Sequence, residues 1–169
     1  MHKHKSRSFD WGFWFLWIMA TAWGWVLGWI LSGYLLAGIA LLATGIGIGA
    51  LQWLVLKQRI GRAGRWILAS AAGWAVGWAI AFAFIPAELG FLSGFVIGAA
   101  AGTAQWLVLR KEVHWAGWWI VVSTLAWTIA LGPLSREPVV GVTPGAMTGI
   151  ALELLLRNPR PGEMPEGEE

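Results

Sequence analysis

The sequence predicts an all-α membrane protein. Its six transmembrane helices form three tandem two-helix repeats, which permits a pseudo-threefold bundle. Three observations predict it. Apolar residues make up 57% of the 169 and charged residues only 12%, about half the charged share of a soluble chain. The charges are also clustered: residues 11–56 hold no Lys, Arg, Asp or Glu, and residues 66–109 hold only Glu88. Each of these runs is long enough for two membrane helices of roughly 20 residues. Finally, the stretch Gln52-Trp53-Leu54-Val55-Leu56-Lys57 returns 53 residues later as Gln105-Trp106-Leu107-Val108-Leu109-Arg110. A worn third copy reads Leu152-Glu153-Leu154-Leu155-Leu156-Arg157.

Taken in order, residues 1–10 form a basic tail with Lys3, Lys5 and Arg7, in which His2 and His4 read as solvated flank rather than metal ligands. The first apolar segment runs from about Trp11 to Leu31. Its start looks like a secretory signal ending near Ala20-Thr21-Ala22. However, Trp17-Ile18, Ala20, Gly24-Trp25 and Gly28-Trp29 align at an offset of 49 with Trp66-Ile67, Ala69, Gly73-Trp74 and Gly77-Trp78. A segment that matches a later membrane helix is expected to be retained as one. Ser32-Gly33 makes a turn, and the second segment runs from about Tyr34 to Leu56. A basic loop at 57–65 precedes the third, about Trp66 to Ile85, which Pro86 interrupts. The fourth spans about Ala87 to Leu109, with Glu88 at its start, where an acid suits the helix dipole. Asp10 reads the same way for the first. A second basic loop leads to the fifth segment, about Ala116 to Leu134, and the sixth runs from about Val142 to Leu156. The membrane domain is therefore 11–157, with repeats of about 11–64, 65–117 and 118–157. Residues 158–169 form an acidic tail rich in Pro, Gly and Glu that is too polar to fold.

Six helices put eleven Lys and Arg on the face that receives both termini and only Arg136 on the other. By the positive-inside rule both termini are expected to be cytoplasmic, in the cell's inner or plasma membrane. The expected partners are the lipid bilayer and a membrane protein or a second copy of this chain, not nucleic acid: the basic residues bracket apolar spans and form no stripe.

Small residues at spacing four mark the even helices: Gly45/Gly49, Gly94/Gly98/Gly102 and Gly145/Gly149. Such stripes let backbones approach where no hydrophobic force drives helices together. The even helices are therefore expected inside, with the odd ones more peripheral. Many tryptophans, Trp66 and Trp119 included, are expected in an interfacial aromatic belt. Gln52 and Gln105 fall on the glycine faces and should point into the bundle. With Glu153 they make a candidate intramembrane polar site. For the glutamines, interhelical hydrogen bonding is preferred to a polar constriction. For Glu153, a salt bridge to Arg157 four residues on is preferred to a proton- or cation-coupling role. Trp25/Trp29 and Trp74/Trp78 form i, i+4 pairs and are a candidate groove for a flat hydrophobic ligand, although helix packing explains their placement equally well.

There is no cysteine, no Ser–His–acid grouping, no metal-ligand spacing and no phosphate loop. No catalytic residue, cofactor or metal is expected. The repeated Gly-x-x-Gln-Trp-Leu-Val-Leu-Lys/Arg, followed by Ala-Gly and Trp-Ile, resembles a pattern in uncharacterised bacterial multi-pass membrane proteins and implies no particular activity. The expected function is a structural, scaffold or accessory-subunit role, with a small-solute or ion transporter or channel as the alternative and a hydrophobic-ligand binder third.

Overall fold

A computed structural model describes residues 8–34, 37–61, 63–133 and 139–159. Most of the basic tail and of the acidic tail, together with Arg62 and Arg136, falls outside them. Among the described residues there are six α-helices: α1 (Trp11–Ser32), α2 (Ala37–Leu56), α3 (Arg65–Phe84), α4 (Ser93–Leu109), α5 (Trp118–Leu131) and α6 (Val139–Leu156). A 3-10 segment over Ala87–Leu92 leads into α4.

The punctuation is local. Asp10 caps α1 by accepting a hydrogen bond from the Phe13 amide at 2.9 Å, which satisfies one of the free donors at a helix start. α3 stops where Ile85 turns extended (φ −104°, ψ 114°), as the residue before a proline is pushed to do. Gly132, before Pro133, also leaves the helical region, at φ −99° and ψ −105°, and ends α5 at 14 residues, three residues short of the expected end. Four spans are long and apolar enough to cross a membrane: Trp11–Leu31, Ile39–Leu56, Arg65–Phe84 and Glu88–Leu109. α5 and α6 are apolar but shorter.

Each helix packs along its neighbours in sequence, and α6 packs back on α1, so the six close into a ring. The α5–α6 seam is the thinnest of the six. The glycines line these seams. A Cβ on Gly49 would stand 2.7 Å from the Ser70 Cβ on α3, one on Gly98 2.7 Å from the Ser123 carbonyl oxygen on α5, and one on Gly145 2.9 Å from the Ile18 Cα on α1. Gly45, Gly94, Gly102 and Gly149 are crowded in the same way. Odd helices reciprocate: Gly24 lies against Ile48 of α2, and Gly73 against Ala101 of α4.

This geometry corrects the expected arrangement. The even helices make no extended contact with one another among the described residues. Their glycine faces meet the flanking odd helices instead. The interior is filled by indoles from the odd helices, which the ring holds apart. Trp17, Trp66 and Trp119 touch in all three pairs, edge to face, with centroids 5.4–6.1 Å apart. At a second level Trp25, Trp74 and Trp127 also touch in all three pairs, at 4.9–5.9 Å, Trp74 and Trp127 edge to face and the two Trp25 pairs tilted. Trp66 and Trp119 are thus fully buried and do not belong to an aromatic belt. Bulk explains the inversion: glycines bring neighbouring backbones together around the rim, and only large side chains can then fill the middle. Leucines, phenylalanines and other tryptophans face outward, among them Phe15, Trp23, Leu68, Phe82, Leu107 and Trp118.

Candidate functional site

The first tryptophan level and the glutamines form one polar assembly inside the apolar core. Gln52 and Gln105 are buried, each on the even helix between two odd ones. The Gln52 Oε1 accepts a hydrogen bond from Trp66 Nε1 at 2.9 Å. Its Nε2 donates to Thr21 Oγ1 at 2.9 Å, and that hydroxyl donates on to the Trp17 carbonyl. Gln105 repeats the pattern one hairpin later. It accepts from Trp119 Nε1 at 3.0 Å and donates to Ser70 Oγ at 2.9 Å. Each amide therefore staples the odd helix before it to the odd helix after it. Trp66 and Trp119, held by different staples, touch each other at the first level.

At the third position Leu152 stands fully buried where the glutamine would be. Trp17 Nε1 turns to Thr148 Oγ1 instead, at 3.0 Å. Ser123, which matches Thr21 and Ser70 in register, keeps a buried hydroxyl with no hydrogen-bond partner among the described residues. The second half of the repeated hexapeptide behaves in parallel. Lys57 lies over the Trp53 ring at 5.2 Å and Arg110 over the Trp106 ring at 5.1 Å. In the third copy Glu153 replaces the tryptophan, and the pair becomes an ion pair with Arg157 at 3.3 Å.

Glu153 is buried but is not brought together with the glutamines. Its Oε1 accepts from the Asp10 backbone amide at 3.2 Å as well as from Arg157. Asp10 in turn pairs with Arg59 of the α2–α3 loop. Arg59 lies 4.9 Å from the Phe13 ring, and Arg157 5.6 Å from the Phe9 ring. This latch joins the start of α1, the α2–α3 loop and the end of α6. The Phe13 amide first, and then the Arg59 guanidinium, hold the Asp10 carboxyl below the usual aspartate range. On the same end, His114 N donates to the Asn158 carbonyl at 3.0 Å, and Val113 pairs with Pro159.

The four tryptophans of the candidate ligand groove separate. Trp25 and Trp74 meet at the second interior level with Trp127. Trp78 stacks on Phe82 at 5.2 Å, and Trp29 is exposed. Among the described residues no three His, Cys, Asp or Glu gather as a metal site. Attention to the hexapeptide misses the other half of each staple. The signal was present: Trp17/Trp66/Trp119, Thr21/Ser70/Ser123 and Trp25/Trp74/Trp127 recur at the offsets of 49 and 53. Comparison with protein-family models, curated proteins and solved structures finds no match to the chain.

Proposed function

We propose that this chain is a multi-pass protein of the inner or plasma membrane with a structural, scaffold or accessory-subunit role and no catalytic activity. On this reading three hairpins are related by a pseudo-threefold axis, all six helices cross the bilayer, and both termini are cytoplasmic. The observation that carries the functional part is the filled interior. Three mutually touching indoles at each of two levels obstruct a solute route along the axis. Both ends of each glutamine amide are already occupied, so neither is free to bind a passing solute. Matched contacts at matched positions support the repeat. The basic loops and the Asp10–Arg59–Glu153–Arg157 latch gather at one end of the ring, which supports the common side for both termini.

One observation favours a hydrophobic-ligand reading as the second choice. The Nε1 groups of Trp25 and Trp78 are buried without a partner among the described residues. A ligand carrying an acceptor would satisfy them. Purification in mild detergent, with cross-linking, mass spectrometry and an absorbance spectrum, separates the readings. A scaffold brings down a stoichiometric protein partner and is colourless. Visible absorbance that survives washing supports the ligand binder instead, and solute flux in proteoliposomes containing this chain alone would sink the scaffold.

A further inference from the structure

The geometry points to a binding site for the headgroup of an anionic phospholipid, in the cleft between the end of α4 and the α4–α5 loop; it rests on the membrane reading above. The cleft has a volume of about 550 Å³ and is lined by Trp106, Arg110, Lys111, Trp115, Ala116 and Gly117. It thus combines aromatic walls with two cations, and among the described residues no carboxylate lines it. Glu112, next in the chain, instead carries a buried Oε1 with no partner among the described residues. The Arg110 guanidinium already lies against one wall, over the Trp106 ring. A phosphodiester suits this combination, since its charge meets Arg110 and Lys111 while its glycerol and upper acyl chains lie on indole.

The loop is built to hold the other wall in place. Trp115 has φ 60°, a left-handed conformation that costs a bulky residue energy and is kept only where its surroundings enforce it. Here they do. Val113 and Ala116 are buried on either side, and the loop is tied to the segment after α6 through His114 N and Asn158 O. Yet the indole so placed is 76% exposed, so the packing that holds the backbone leaves the ring itself open to a ligand. The α2–α3 loop carries Arg62 and Arg65 at the positions matching Trp115 and Trp118. The aromatic wall therefore belongs to this loop and is not a property of the repeat.

The test uses the full-length protein in non-ionic detergent, titrated with dioleoyl phosphatidylglycerol or dioleoyl phosphatidylcholine and read by native mass spectrometry. Wild type should retain the anionic lipid with a preference on the order of tenfold, the scale of one to two basic side chains at an anionic surface. The double variant Arg110→Gln/Lys111→Gln should erase the preference. Trp115→Gly should erase it as well, with an unchanged or raised thermal midpoint, because glycine accepts this backbone conformation without strain. Lys57→Gln, at the matching position of the other loop, should leave it intact. An equal loss in Lys57→Gln, no preference in wild type, or displacement of the lipid by inorganic phosphate alone each overturns the site. Flotation with phosphatidylcholine vesicles tests the membrane reading separately, since it requires no anionic lipid.

Discussion

Ser70 and Ser123 occupy matching places four residues after a buried tryptophan, but only Ser70 has a glutamine to accept from, through Gln105. The pair makes a controlled comparison. Ser70→Ala should cost about 1 kcal/mol, because it strands the Gln105 amide. Ser123→Ala should cost nothing measurable, since that hydroxyl has no partner to lose among the described residues. Leu152→Gln should gain up to about 0.6 kcal/mol by giving the Ser123 hydroxyl an amide partner. Reversible unfolding in detergent, followed by tryptophan fluorescence, measures all three, and a larger loss at Ser123 than at Ser70 would contradict the staple. Asp10 supplies a pH dependence. Its folded-state pKa lies below the ordinary aspartate value, so its contribution is present above about pH 3.9 and lost as pH falls further through the lowered value. Asp10→Ala should remove about 1 kcal/mol of cap at neutral pH and flatten the acid limb of the stability profile. Much of this residue-level detail was legible in the sequence: the inward glutamines and the Glu153–Arg157 pair are set by helical spacing, and Asp10 was placed at a helix start, although its bond to the Phe13 amide was not foreseen. The partners of the glutamines were not, because they come from helices 14 and 31 or more positions away, and spacing along one helix carries no information about which helix lies opposite.

At the level of elements, glycine decides how close the helices come. A methyl group on Gly98 would press on the Ser123 carbonyl oxygen and the Thr124 Cα at 2.7 and 2.8 Å. Backbone cannot step aside as a side chain can, so Gly98→Ala should cost about 1–3 kcal/mol. Gly117→Ala, with nothing among the described residues within 4 Å of the added carbon, should be near neutral. Thermal midpoints of the two variants give the contrast, and equal midpoints would remove glycine from the packing argument. The glycine stripes were plain in the sequence, but not the surfaces they meet. A stripe identifies a face that can approach closely, and both an inner trio of even helices and a ring satisfy that condition. Helix ends were legible wherever a proline set them, at Ile85 and Gly132, apart from the three residues of α5 lost to the residue preceding Pro133.

For the whole molecule, orientation is the next measurement. The chain has no cysteine, and no described residue crowds a side chain added at Gly61 or Gly117, so Gly61→Cys and Gly117→Cys should fold and report cleanly. Both should resist a membrane-impermeant maleimide on intact cells and react once the membrane is opened; labelling of either from outside would reverse the orientation. The sequence by itself determined the solvent this chain needs, the helices and most of their ends, and the positions that recur at 49 and 53, because composition, proline and spacing act locally along the chain. Only the tertiary structure decided what occupies the middle. A ring and an inner bundle use the same glycine faces. The choice between them rests on volume: six indoles from three non-adjacent helices, five of them buried and Trp25 half-buried, can share one interior only if those helices stand around them.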